Sequence, residues 1–130
     1  MLARISFLLA MAAGSVMAAE FPAADLEFFE KKIRPLLSQK CYKCHSVKAK
    51  KLKGGLRLDY RAGVLKGGDS GAAVQPGKPT TSRLVEAIKY GNVDLEMPPS
   101  GKLTAAQIAA LTEWVKRGVP WPKENSPGGG

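Results

Sequence analysis

The chain has 130 residues, 45% of them apolar, and 20 Lys and Arg against 11 Asp and Glu give a formal charge of +9. That length and composition fit a single small domain. The positive balance argues for an acidic partner protein rather than nucleic acid, because no binding motif interleaves aromatic residues with the lysines.

Residues 1–18 read as a secretory signal peptide. Arg4 precedes a largely apolar run from Ile5 to Ala13, and Gly14 leads to Val16-Met17-Ala18, the small-residue pattern of a signal-peptidase site, so cleavage is expected after Ala18. The run is well short of the roughly 20 residues that a membrane-spanning helix needs, and no later segment reads as a span. The expected location is periplasmic or secreted, with residues 19–122 as the folded domain.

A first helix is expected from about Asp25 toward Gln39, with Phe29, Ile33, Leu36 and Leu37 on one face and Pro35 kinking or ending it. Next comes Cys41-Tyr42-Lys43-Cys44-His45, which contains both cysteines and the sole histidine of the chain. Cys-x-x-Cys-His is the spacing at which two thiols add to the vinyl groups of one haem while the adjacent imidazole ligates its iron. Covalent attachment would also consume thiols that an oxidising compartment would otherwise join in a disulfide. The pentad is expected to form a further turn of helix.

Lys40, Lys43, Lys48, Lys50, Lys51 and Lys53 surround the pentad, and no Asp or Glu lies between positions 40 and 53. This collar reads either as a docking face for an acidic partner or as ordinary solvated surface. Gly54-Gly55 closes the basic stretch. Asp59 is then expected to cap a short helix running through Leu65 and stopped by Gly67-Gly68, and the loop from Gly71 to Pro79 is expected to be irregular. Thr81 or Ser82 caps a helix through Tyr90, ended by Gly91.

Met97 is the only methionine left once Met1, Met11 and Met17 depart with the signal peptide. Pro98-Pro99 forbids helix directly after it and biases it toward an extended conformation, which puts the thioether on a stiff loop. With His45 already used, Met97 is the soft side chain that remains to complete six-coordinate haem iron; the bland reading is a gap-filling hydrophobe.

The last helix has the clearest local code. Thr104-Ala105-Ala106-Gln107 fits a capping box, with Leu103 and Ile108 at the two positions of a hydrophobic staple. Ile108, Leu111 and Val115 form its buried stripe with Trp114 at the margin, and Gly118 and then Pro120 mark its end. Lys123 to Gly130 reads as a disordered tail or the stub of a linker.

Other readings of the pentad are weaker. Structural zinc normally takes four Cys or His ligands, and this chain offers three. A thioredoxin-type pair expects a βαβ context that the pattern does not supply, and a plain disulfide explains neither His45 nor the Met97 loop. Gly67-Gly68-Asp69-Ser70-Gly71 matches neither a P-loop nor a dinucleotide fingerprint. No nucleophile has a histidine base to spare, so the reading is an electron-transfer protein rather than an enzyme.

From Phe29 through Pro122 the chain resembles the planctomycete-type cytochrome c domain, a branch of the class I cytochrome c superfamily. The matching residues are Ile33-Arg34-Pro35-Leu36-Leu37 before the pentad; Gly54-Gly55-Leu56-Arg57-Leu58-Asp59; Lys66-Gly67-Gly68-Asp69-Ser70-Gly71; Pro76-Gly77-Lys78-Pro79; Met97-Pro98-Pro99; and Leu103-Thr104 with Trp114 and Gly118. The resemblance implies an all-α fold of about four to five short helices, with Gly/Pro-rich loops, wrapped around one covalent haem c. Cys41 and Cys44 would carry the thioethers, His45 would be the proximal and Met97 the distal iron ligand. Arg57, Arg61 and Trp114 are candidates for propionate contacts that spacing does not decide among. In this family the domain is often fused ahead of larger regions. The function expected is outer-sphere transfer of single electrons; the competing expectation is a ligand sensor or peroxidase-like domain whose sixth ligand dissociates easily, and a third is an adhesive module binding an anionic polymer.

Overall fold

The computed structural model describes residue 3 and residues 21–124, so the expected signal peptide and most of the expected tail lie outside the described residues. Among the described residues, helical structure begins at α1 (Ala23–Phe28), continues through a wide π-turn (Phe29–Ile33) and runs on as α2 (Arg34–Lys40). The apolar face is as the periodicity predicts: Phe29, Ile33, Leu36 and Leu37 are all buried. Pro35 neither ends the helix nor sits at a break. The Arg34 N–H reaches back five residues to the Phe29 carbonyl, which places Pro35 in the first turn of α2, where its missing N–H and fixed φ are tolerated.

The pentad is a single hydrogen-bonded turn rather than an extension of α2. The amides of Cys44 and His45 both donate to the Cys41 carbonyl, at 3.2 and 3.0 Å. The segments that follow depart from the sequence expectation at Asp59 and in the helix after Ser82. Asp59 does not cap α3 (Arg61–Lys66), whose N-cap is Tyr60 with no side-chain cap. Its buried carboxylate instead accepts two hydrogen bonds from Arg57 and one from the Val47 amide, because an unpaired charge at that depth would be costly. α4 (Arg83–Ile88) is also shorter than expected. Ser82 is its N-cap residue but spends its hydroxyl on Gln75 and Lys78, and the left-handed turn that follows is at Tyr90, φ 58°, not Gly91.

α5 (Ala105–Lys116) follows its code closely. The Gln107 amide donates to the Thr104 hydroxyl and the Thr104 amide to the Gln107 side chain, closing the capping box. At the other end, Gly118 at φ 93° donates to the Val115 carbonyl and Val119 to the Trp114 carbonyl, the two bonds of a Schellman motif. Trp114 is not at the margin of the buried stripe. It is fully buried, ring centroids 6.2 Å from both Phe29 and Trp121, while Phe29 and Trp121 approach to 4.4 Å. Its indole N–H donates to the Pro120 carbonyl, so the segment after α5 is folded back onto the π-turn. Such aromatic contacts contribute about 0.5–1.5 kcal/mol each beyond the area they bury. The folded chain also passes Pro122, because the Glu124 carboxylate accepts the Arg61 amide.

The result is all-α, with helices joined by Gly/Pro loops and, among the described residues, one isolated bridge (Gly68 with Gly71) in place of any sheet. No helix among the described residues is long and apolar enough to cross a membrane.

Candidate haem site

A cavity of about 350 Å³ opens between the pentad turn, α4, α5 and the loop carrying Met97. Its size is that of a small-ligand or cofactor site, and its walls are chiefly apolar, with Leu37, Leu58, Leu84, Ile88 and Leu111 among them. Cys41, Cys44, His45 and Met97 all line it, so tertiary folding brings together the four residues that the sequence nominated from two distant segments.

His45 is fixed by its second nitrogen. Nδ1 lies 3.1 Å from the Leu56 carbonyl oxygen, which can only accept, so Nδ1 carries the proton and Nε2 keeps its lone pair free to ligate a metal. The same segment is stitched to the pentad along the backbone, with Lys53 N–H donating to Cys44 and Leu58 N–H to His45. The Arg57–Asp59 pair braces it from behind by reaching the Val47 amide. A further contact explains the glycines: the Asp69 amide donates to the Gly54 carbonyl, and a Cβ on Gly68 would stand 2.2 Å from that same oxygen. Only glycine lets the two turns stack so closely against the cavity.

Burial, with a smaller contribution from neighbouring Cys44, pushes the Cys41 thiol up to about 11. A redox-active Cys-x-x-Cys needs the opposite, a thiol shifted toward thiolate. Both cysteines are free thiols beside an apolar cavity, as addition to a hydrophobic macrocycle requires. Among the described residues no group of three or more His, Cys, Asp and Glu side chains is placed to hold a metal ion, which leaves a zinc site without enough protein ligands there.

Met97 sits on a loop held from two sides. Its amide donates to the Ala87 carbonyl of α4 at 3.1 Å, and the Tyr90 hydroxyl donates to the Pro98 carbonyl. Tyr90 takes up a left-handed conformation to do so, one that L side chains adopt at a cost of the order of 1 kcal/mol. The Met97 side chain is 38% exposed at the cavity.

The three propionate candidates are not brought to the cavity. Arg57 is paired with Asp59, Arg61 donates to the Gly118 and Val119 carbonyls, and Trp114 is in the core. The cations that do line it are Lys40, Lys53 and Arg83. Arg83 carries no motif signal; only the docking of α4 turns it toward the cavity. Of the basic collar, Lys43, Lys48, Lys50 and Lys51 are exposed, beside exposed Val47 and Leu52.

An all-α fold whose one thiol-bearing turn and one methionine loop share an apolar cavity defines the class, a cytochrome c-type haem-binding domain. Residues 41–101 match the family described as Planctomycete cytochrome C, which supports a planctomycete-type cytochrome c domain there. No curated protein and no solved structure matches the chain. The match supports a haem-binding, electron-transfer role and implies haem c as the cofactor.

Proposed function

We propose that this protein is an exported mono-haem c-type cytochrome that carries single electrons. The observation that carries the reading is the pairing of His45, with Nδ1 committed to Leu56 and Nε2 free, with Met97 on the walls of one apolar cavity. Bound there, the cofactor supplies a one-electron ferric/ferrous couple. The protein's part is to hold and tune it. Cys41 and Cys44 would hold it through thioether links, and His45 and Met97 would ligate its iron. A thioether favours ferrous over ferric iron relative to a harder ligand, and the apolar walls disfavour the additional ferric charge, so both raise the reduction potential. Lys43, Lys48, Lys50 and Lys51, exposed beside the attachment turn, form the docking face for an acidic redox partner, with association that weakens as salt rises.

The test is a visible spectrum of oxidised and reduced protein matured in a host that attaches haem c. The methionine-to-ferric-iron charge-transfer band is expected in the wild type and absent in Met97→Ala. A high-spin spectrum, or carbon monoxide binding to the reduced wild type without denaturant, would move the ligand-sensor reading ahead. Failure to form any covalent haem would sink both.

A further inference from the structure

Five arginines lie among the described residues, and four have their guanidinium groups committed. Arg34 pairs with Glu30, Arg57 with Asp59, and Arg117 with Glu113 and Asp25, while Arg61 donates to two main-chain carbonyls. Arg83 has no such acceptor among the described residues, and it alone of the five lines the apolar cavity. Its position is set by main chain rather than by chance packing: the adjacent Leu84 amide donates to the Ala73 carbonyl at 2.8 Å, which ties the start of α4 to the segment following Gly71. Ser70 and Gly71 line the same cavity.

Haem brings two carboxylates on the macrocycle edge opposite its vinyl groups. If Cys41 and Cys44 take the vinyls, a cation that meets a carboxylate must come from a wall other than the pentad's. Lys40 precedes Cys41 directly, and the Lys53 amide bonds to the Cys44 carbonyl, so both belong to the attachment side. Arg83 belongs to α4, which also holds the Met97 loop through Ala87. A planar guanidinium can meet a carboxylate through two parallel hydrogen bonds, a geometry that a lysine ammonium cannot reproduce.

We propose that Arg83 is the propionate-binding residue of this domain and that it acts as a positioning and potential-tuning residue; this rests on the haem reading given above. Arg83 lies at the exposed rim, so its pair with the carboxylate withdraws negative charge from the ring without closing the cavity to solvent.

The experiment compares the reduction potential of wild-type holoprotein with those of Arg83→Gln, Arg83→Lys and, as a control for loss of one charge elsewhere, Lys66→Gln on the exposed face of α3. Arg83→Gln should favour the ferric form, raising the ferric-to-ferrous ratio at a fixed applied potential by about threefold, on the scale of one charge acting over roughly 10 Å near the surface and screened over one Debye length at about 0.1 M salt. Arg83→Lys should recover part of the shift, and Lys66→Gln should show little. In the wild type, the Arg83 Nε–H should give a nuclear magnetic resonance signal with slowed solvent exchange. Equal shifts for Arg83→Gln and Lys66→Gln, or a fast-exchanging Arg83 Nε–H, would overturn the assignment while leaving covalent haem and the methionine band in place. Absence of covalent haem from the wild type would instead overturn the reading on which it rests, and the assignment with it.

Discussion

Two regions of this molecule are built on different principles. The scaffold, α1 through α2 with α5 and the segment to Trp121, is chiefly helix whose buried side chains meet one another, with Phe29, Trp114 and Trp121 at the centre. The cavity region, from the pentad to Pro99, has only short helices, and its loops are joined chiefly by main-chain bonds such as Asp69 to Gly54, Leu84 to Ala73 and Met97 to Ala87. Of its apolar side chains, Val64, Val74 and Val85 join the common core, whereas Leu58, Leu84, Ile88 and Leu95 line the cavity. The family match covers the second region and stops short of α5. The difference teaches that the scaffold supplies its own core, whereas the cavity region is completed by what it binds.

The largest expected effect follows from that. Replacing Cys41 and Cys44 together by Ala should abolish stable folding of the cavity region. Hydrogen exchange should be lost first and furthest between residues 53 and 99, with residual protection in α5. A haem-free variant with sharp cooperative melting and uniform protection would break the comparison.

The reverse experiment strikes the scaffold. Trp114→Ala should cost about 3–5 kcal/mol in denaturant unfolding, because it leaves a cavity against Phe29 and Trp121 and removes the bond to Pro120. The visible spectrum of the protein that remains folded should be unchanged, and a shifted methionine band would mean that the two regions are coupled more tightly than their contacts suggest.

An intermediate effect belongs to the brace behind His45. Burial raises the pKa of the Asp59 carboxyl, but the Arg57 side chain and the Val47 amide together outweigh it, and the net direction is downward. A carboxyl that is more acidic in the folded state contributes stability that is fully present above its unfolded value, near 3.8, and is lost as pH falls through the folded value. Asp59→Asn should therefore cost about 2 kcal/mol at pH 7 and progressively less as pH falls below 3.8 through the lowered folded value, where the native side chain takes up its proton. A cost independent of pH would assign the effect to packing.

The smallest effect is local to α5. Thr104→Ala removes one half of the capping box and should lower stability by about 1 kcal/mol, without altering the spectrum or the potential.

What the sequence determined by itself was everything written in local chemistry. The haem-type pentad, the buried face of the first helix, and the capping box and glycine-marked end of α5 depend on residues within a few positions of each other. Met97 was legible for a different reason, as the sole methionine left after the expected cleavage. What only tertiary structure decided was the use of groups that have several potential partners. Asp59 looked like a cap, but a half-buried arginine offered its carboxylate two charge-assisted hydrogen bonds, against the single neutral bond of a helix start. Pro35 looked like a break, and a π-turn absorbed its missing donor. Trp114 looked marginal on its own helix, yet the chain beyond α5 folds back to cover it. Arg57 and Arg61 were spent on structure, while Arg83 was turned to the cavity by the docking of α4, a contact between chain segments that no local pattern encodes.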